Sequence, residues 1–222
     1  MVAKGKIRHR AAKVFHDHAQ EYDSWFAGSL VYAIELAALL SLQTAFAHPR
    51  LEIGVGPGRF ARALGAGLGL DPARAPLLLA RQRGVSCIQG VGEHLPVQAR
   101  RIGTAYLLFT LCFSESPRQI LSECARILKP GGYLVIGLIP RESNWGRYLG
   151  EKKAAGHIFY EHANFYTIRT VGRWLAEAGM RIIEHRSTLY QSPEHVEHQE
   201  DPCDVLDEQA GFAVIVATKD HD

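Results

Sequence analysis

Between Arg50 and Ala61 a short apolar strand, Arg50-Leu51-Glu52-Ile53, breaks into glycines at alternate positions, Gly54-Val55-Gly56-Pro57-Gly58, and restarts as a helix at Arg59-Phe60-Ala61. Few arrangements constrain a fold more. Glycine at Gly54, Gly56 and Gly58 lets the backbone turn sharply after a strand and pass close to a ligand, where a Cβ would block the dihedrals or the approach. Glu52 lies inside the strand, and Asp71 ends a second apolar run, Leu68-Gly69-Leu70-Asp71-Pro72, about twenty residues on, where an acid can bond ribose hydroxyls. The stretch reads as a nucleotide-cofactor loop.

The spacing separates two readings. A dinucleotide fingerprint runs G-x-G-x-x-G, its last glycine packing the helix on the strand. Here the spacing is G-x-G-x-G with Pro57 inside it, and Arg59-Phe60 stand where the third dinucleotide glycine would fall. A nicotinamide oxidoreductase, the less favoured alternative, would need that later glycine and a hydride-handling pair such as Tyr-x-x-x-Lys, which is not expected here.

From Arg50 onward strands and helices alternate, which predicts a parallel sheet covered on both faces. Strands are expected at Leu51 to Gly54, Gly67 to Asp71, Val85 to Gln89, Thr104 to Leu108 and Tyr133 to Ile139, with helices at Gly58 to Leu64, Ala73 to Arg83 and Pro117 to Leu128. Ahead of them, Ala11 to about Phe26 carries helical spacing and ends in the aromatic and acidic segment Tyr22-Asp23-Ser24-Trp25-Phe26, read as a lid. A second helix is expected from Leu30 to Ala47, stopped by His48-Pro49. Arg141 to Tyr166 mixes polar and aromatic residues without a period, as an ordered loop or short helices over a site would. Thr167 caps a helix through Ala178; Met180 to Tyr190 and Gly211 to Thr218 read as a final antiparallel strand pair around an irregular acidic stretch.

The pattern E-x-G-x-G-x-G resembles the first motif of the class I S-adenosylmethionine-dependent methyltransferases, and three later stretches resemble that family in order. They are Leu70-Asp71-Pro72, the loop Gly90 to Pro96, and the turn Leu128-Lys129-Pro130-Gly131-Gly132 before strand five. The resemblance covers roughly residues 50 to 140. It implies an α/β fold, a doubly wound, Rossmann-like three-layer sandwich whose seven-stranded mixed sheet has the order 3-2-1-4-5-7-6. It also implies S-adenosylmethionine as cofactor and a small-molecule methyl acceptor.

Carried over by position, the resemblance implies that Gly54, Gly56 and Gly58 pass along the methionine moiety and that Glu52 reaches its ammonium directly or through water. Asp71, followed by Pro72, would take both ribose hydroxyls. Val91 stands where many relatives carry an aspartate to the adenine amine, so adenine recognition falls to Gly92 and Glu93, unless Glu93 is a solvent-facing cap. Thr110 places one hydroxyl at the end of strand four, in Phe109-Thr110-Leu111-Cys112-Phe113, where amino-directed DNA methyltransferases have [DN]-P-P-[FY]. That disfavours base modification of DNA. Tyr22 resembles a lid tyrosine over the cofactor, its alternative being a core aromatic. Should the acceptor have to lose a proton, Tyr160 and His162 are the catalytic candidates, drawn from an aromatic insertion that also holds His157 and Tyr166.

Composition sets the remaining bounds. With 222 residues, 47% hydrophobic, one methyltransferase domain is expected: residues 1–48 helices and lid, 50–140 cofactor core, 141–166 substrate-side insertion, 167–222 the closing helix and strand pair. A formal charge of +2 makes neither nucleic acid nor a membrane an expected partner. The basic leader Lys4, Lys6, Arg8, Arg10, Lys13 has no apolar stretch after it and is not read as a signal peptide. Cys87, Cys112, Cys124 and Cys203 form no C-x-x-C pair and suit a reduced, cytoplasmic protein. No metal is expected: His16 with His18, and His195 with His198, Asp201 and Cys203, lack ligand spacing. Oligomeric state is open, as is the alternative of a cofactor-binding protein without catalysis.

Overall fold

The structure, a computed structural model, describes residues 10–219. The leader positions Lys4, Lys6 and Arg8 lie outside the described residues. Seven strands form one sheet: β1 Arg50–Ile53, β2 Leu68–Asp71, β3 Ser86–Gln89, β4 Ile102–Leu108, β5 Leu128–Leu138, β6 Met180–Thr188 and β7 Phe212–Lys219. Their order is β3-β2-β1-β4-β5-β7-β6, with β7 antiparallel to both of its neighbours and the other pairings parallel. This is the order that the family resemblance implies. Strand order reverses between β1 and β4, which opens a crevice at their carboxyl ends.

The middle of the sheet is apolar on both faces because both are covered. All seven residues of β4 are buried. Alternation along the strand splits them between two cores. Ala105 and Leu107 join Leu51, Ile53, Leu134 and Ile136 beneath α6 (Pro117–Ile127) and α8 (Ile168–Glu177). Tyr106 and Leu108 join Val135, Phe212, Val214 and Val216 beneath α3 (Leu30–Leu40), α4 (Arg59–Leu64) and α5 (Arg74–Gln82). The crossover helices therefore hold the glycine loop and the tips of β1, β2 and β4 from both sides.

Three elements depart from the sequence expectation. The first helix bends at His18 (φ −116°, ψ 28°) into α1, Arg10–Asp17, and α2, Ala19–Ser24. The second stops at Leu40 instead of running to Ala47. The Glu184 carboxylate accepts the Gln43 and Thr44 N–H groups and the Thr44 hydroxyl, and Arg186 donates to the Ser41 carbonyl, so distant β6 draws the chain out of the helix. Strand five begins at Leu128 rather than Tyr133, with Lys129 to Gly132 absorbed as an irregularity: Ile102 pairs with Leu128 but Thr104 with Tyr133. The aromatic insertion contains one well-formed helix, α7, Asn144–Ala154, whose N-terminus is capped by the Ser143 hydroxyl accepting from the Gly146 N–H at 2.9 Å.

Candidate functional site

The loop after β1 is knitted to its neighbours by short bonds. The N–H groups of Gly54 and Val55 both donate to the Leu70 carbonyl at 2.7 and 3.0 Å. The Gly56 N–H donates to one oxygen of Asp71 at 2.9 Å, and the Ala73 N–H to the other at 2.8 Å. From β4, the Thr110 hydroxyl donates to the Ile53 carbonyl at 2.9 Å. Gly54 stands at φ +75°, and a Cβ there would run into the Thr110 side chain, so both conformation and space demand glycine. Phe109, also left-handed at φ 55°, makes the turn that brings Thr110 back over β1. It is held by stacking on Phe212, ring centres 5.0 Å apart, and by its N–H on the Gly137 carbonyl.

These tips floor a cavity. Gly54, Gly56, Asp71 and Pro72 form its base; Val91, Gly92, Glu93 and Ser114 one side; Ala11, Phe15, Tyr22 and Phe113 its roof. Thr110 also reaches the wall. Asp71 is the acidic group in the base: burial pushes its carboxyl up to about 6, although the N–H groups of Ala73 and Gly56 pull the other way. Two oxygens with one N–H each leave a carboxylate free lone pairs for two further donors. Glu93, also buried, accepts the Ser114 hydroxyl at 2.7 Å and so is not a solvent-facing cap. Gly92 packs so closely that a Cβ would meet Ile120 at 2.9 Å, which leaves its backbone at the cavity.

Glu52 and Gly58 stand behind this wall. The Glu52 carboxyl is buried under α4, where one contact is the Ala61 N–H, and one of its oxygens has no partner; burial first and the Asp71 charge second hold it well above the usual carboxylate range. Gly58 (φ +79°) is the residue ahead of α4, and its Cα approaches α5 so closely that a Cβ would lie 2.8 Å from the Ala80 methyl.

Over the cavity lies an aromatic roof built by α1, α2 and the insertion. Tyr22 meets Phe15 at 5.0 Å, Trp25 at 5.5 Å, Phe26 at 5.3 Å and Phe159 at 5.9 Å. Trp25 in turn meets His157 and Tyr160, which joins the insertion to the lid. Burial, the main cause, pushes the hydroxyls of Tyr22 and Tyr160 far above the tyrosine range. His162, half-buried, takes no part in these ring contacts among the described residues. Beside Tyr22, the Asp23 carboxylate takes a two-pronged bond from Arg59, 2.7 and 3.1 Å, and a third from Arg83 at 2.8 Å. Arg83 also donates to the Pro57 carbonyl at 2.8 Å, so the lid is fastened to the glycine loop itself.

Sequence reasoning passed over two features here. Arg59 was visible only as a missing glycine, and its partner Asp23 is 36 residues away. Glu35 was not singled out, although it is the one charge in the helix Leu30–Leu40. Its carboxyl is buried, 8% exposed, and burial alone pushes it up to about 8. A Tyr-x-x-x-Lys spacing, the pair a nicotinamide enzyme would use, does occur at Tyr148 and Lys152. It lies on α7 with the ammonium 5.1 Å over the tyrosine ring, and neither residue lines the cavity. Among the described residues no three His, Cys, Asp or Glu side chains converge as metal ligands.

Comparison with known proteins agrees with this geometry. Residues 51–136 match the methyltransferase domain family. An uncharacterised protein of Mycobacterium tuberculosis is 43% identical over 203 residues, 90% of this chain and 71% of that protein. One of Methanocaldococcus jannaschii is 34% identical over 210 residues, 93% and 98% of the two chains. The crystal structure of a SAM-dependent methyltransferase of Thermotoga maritima, a possible histamine N-methyltransferase, superposes with a TM-score of 0.87 at 33% identity over 94% of this chain and 99% of that one. A cradle kept open by glycine, a buried carboxylate with lone pairs to spare and a close relative of that kind lead to one conclusion: the chain belongs to the S-adenosylmethionine-dependent methyltransferases, class I.

Proposed function

We propose that this enzyme transfers a methyl group to a small-molecule acceptor by in-line displacement, and that the division of labour follows the chain. Residues 50–140 hold the cofactor; residues 10–48 and 141–166 cover it and select the acceptor; residues 167–219 close the sheet. The observation that carries the reading is the Asp71 carboxylate, anchored by Gly56 and Ala73 at the base of a cavity with a glycine floor and an aromatic roof.

When bound, S-adenosylmethionine supplies a methyl group already activated on a sulfonium. Asp71 accepts the ribose hydroxyls with its spare lone pairs, charged hydrogen bonds of the stronger kind. Pro72, Gly92 and Glu93 flank the adenine, with the Glu93 carboxylate turned by Ser114. Gly54 and Gly56 let the main chain lie against the methionine part, and Gly58 sets the helix behind them. Glu52 acts at that end too, through the loop it underlies. Tyr22 from the lid and Thr110 after β4 line the same cavity and would bound the space in front of the sulfonium.

In-line displacement of a sulfonium methyl needs positioning and exclusion of water more than acid or base. The roof of Phe15, Tyr22, Trp25 and Phe159 serves both ends. Tyr160, held protonated by burial, can donate a hydrogen bond to an acceptor but is a poor base at neutral pH. His162 would have to act from outside the ring cluster. The four cysteines are free, in keeping with a cytoplasmic enzyme, and the modest charge of +2 favours a small molecule over nucleic acid. No helix among the described residues is long and apolar enough to cross a membrane.

Calorimetry tests the cofactor half: S-adenosylhomocysteine binds and NAD does not. Turnover of labelled S-adenosylmethionine against amine, hydroxyl and thiol acceptors tests the rest. Tight binding with no transfer to any class would leave a cofactor-binding protein without catalysis.

A further inference from the structure

The cavity above the glycine floor is one-sided in its charge. Asp71 and Glu93 are the acids among the described residues that line it, and no lysine, arginine or histidine does. Arg59 and Arg83, which fasten the lid, are held on Asp23 and stand outside that lining. Two carboxyl groups with no basic residue in the same wall favour a ligand that brings positive charge.

The roof of the cavity is aromatic, and contacts fix where its rings lie. A Cβ on Gly56 would lie 3.7 Å from Cε1 of Tyr22, which sets that ring against the glycine loop. Phe113 closes the single turn Leu111–Phe113 that follows Thr110 at the end of β4. Phe15 bridges the two: its ring centre is 5.0 Å from that of Tyr22 and 5.0 Å from that of Phe113, with planes at 73° and 83°. All three line the cavity, and Phe159 backs Phe15 and Tyr22 at 5.5 and 5.9 Å without lining it. Rings that meet nearly at right angles enclose a corner instead of stacking flat, and the electron-rich ring faces of such a cage hold onium ions.

This corner falls between the holds proposed for the cofactor. Asp71 at the tip of β2 takes the ribose, Gly54 and Gly56 after β1 carry the methionine part, and Thr110 follows β4. Sulfur joins ribose to methionine, so it comes to lie between Asp71 and the glycines, under the ring that touches Gly56.

We propose that Phe15, Tyr22 and Phe113 form an aromatic cage for the sulfonium, and that this cage makes the enzyme hold S-adenosylmethionine more tightly than its product S-adenosylhomocysteine. The proposal rests on the methyl-transfer reading above. Substrate and product share the adenine, the ribose and the amino-acid part, so Asp71, Glu93 and the glycine loop offer both the same hydrogen bonds, which is uniform binding. The two differ by one methyl and one charge at sulfur, and the side chains over that atom are rings. In the transfer the acceptor's lone pair forms the bond to the methyl carbon while the C–S electron pair stays on sulfur. One positive charge thereby leaves the cavity, on the acceptor or as the proton that the acceptor sheds to water. The cage is left around a neutral thioether, its hold relaxes, and the product departs. The roof thus serves release as well as exclusion of water.

The test is calorimetry on the full chain with S-adenosylmethionine, S-adenosylhomocysteine and sinefungin, an analogue that carries a protonated amine on carbon where the cofactor has its methylated sulfur. Both cations bind about tenfold or more tightly than S-adenosylhomocysteine. Trifluoro- and then pentafluorophenylalanine in place of Phe15 or Phe113, introduced by nonsense suppression, keep the ring's shape while draining its negative face. The preference for the cations shrinks step by step, and S-adenosylhomocysteine affinity stays within about twofold, which also shows that the fold is intact. Phe113→Leu loses the preference in the same way, whereas Tyr22→Phe, which keeps the ring without its hydroxyl, retains it. Equal affinity of the parent for all three ligands, a preference that survives pentafluorophenylalanine at both positions, S-adenosylhomocysteine affinity that falls as far as that of the cations, or a preference lost in Tyr22→Phe would each overturn the cage. Failure of the parent chain to bind any of the three would instead remove the methyl-transfer reading beneath it.

Discussion

The two halves of the site are made of different materials. On the cofactor side, backbone does the work: Gly54, Val55, Gly56 and Ala73 each commit an N–H to Leu70 or Asp71 at 2.7 to 3.0 Å, and a bond of 2.9 Å from Thr110 ties β4 to the same place. On the side proposed for the acceptor, side chains do it. Phe15, Tyr22, Trp25, Phe159 and Tyr160 make a roof of ring contacts, pinned at one edge by Asp23. A hydrogen-bonded backbone has one geometry and suits a constant ligand. Ring packing is non-directional and changes shape with each substitution, as suits the part that sets specificity.

The sharpest way to break this contrast is Asp71→Ala. It should weaken S-adenosylhomocysteine binding by roughly 1.5 to 3 kcal/mol, the usual worth of hydrogen bonds to a charged group, or about 10- to 150-fold by calorimetry. An unchanged affinity would remove Asp71 from the grip and dissolve the distinction.

Acidity gives the next effect. Burial holds Asp71 up at about 6, above the ordinary aspartate value of 3.8. The burial of its charge disfavours the folded state progressively from about pH 4 to 6, and that penalty is absent below that window. Ribose hydroxyls need the ionised form as acceptor. Affinity for S-adenosylhomocysteine should therefore fall as pH drops through about 6, by roughly tenfold between pH 7 and 5, where about one molecule in ten keeps the carboxylate charged. Asp71→Asn should flatten the profile; a parent profile that is already flat would contradict the assignment.

Loosening the fastening between the halves should matter less. Asp23→Asn gives up the ion pairs to Arg59 and Arg83, which are partly solvated and worth only about 1 kcal/mol together. Stopped-flow measurement should find S-adenosylhomocysteine leaving several-fold faster with little change in melting temperature. An unaltered off-rate would mean that the clasp does not control the lid.

Least of all should the cofactor notice a change in the roof. Phe159→Leu reshapes a ring cluster that contains Phe15, Tyr22 and Trp25, so acceptor KM should rise while S-adenosylhomocysteine affinity stays within about twofold. A large loss of cofactor affinity would join the halves that the geometry separates.

The same contrast explains how much the sequence revealed. The strands and the glycine loop were legible because each strand is a bounded apolar run and each sharp turn demands a residue type, as at Gly54 with its left-handed backbone against Thr110, whereas the order of the strands came from the family resemblance alone. The end of α3 was not, because it is decided by Glu184, 140 residues away from Thr44 in sequence. α7 was hidden by glycines and aromatics within Asn144–Ala154; Ser143 and the paired Lys152 and Lys153 are its only helix signals. At the site, the candidates Gly54, Gly56, Asp71, Pro72, Gly92, Glu93, Thr110 and Tyr22 line one cavity. Glu52 and Gly58 lie behind it, since alternation turns Glu52 toward α4 and the third glycine answers to Ala80. The Asp23 clasp joins residues 36 and 60 positions apart and leaves no local trace. Glu35 did leave one, a lone charge in an apolar helix.

The central claim is that the tips of β1 and β2 grip the cofactor through Asp71 and the glycine floor. A crystal structure with S-adenosylhomocysteine bound tests it most directly. Both ribose hydroxyls should lie within hydrogen-bond distance of the Asp71 carboxylate, while Gly56 and Ala73 keep their N–H groups on it and the adenine rests against Gly92 and Glu93. A ligand lodged elsewhere, or seated with its ribose away from Asp71, would contradict it.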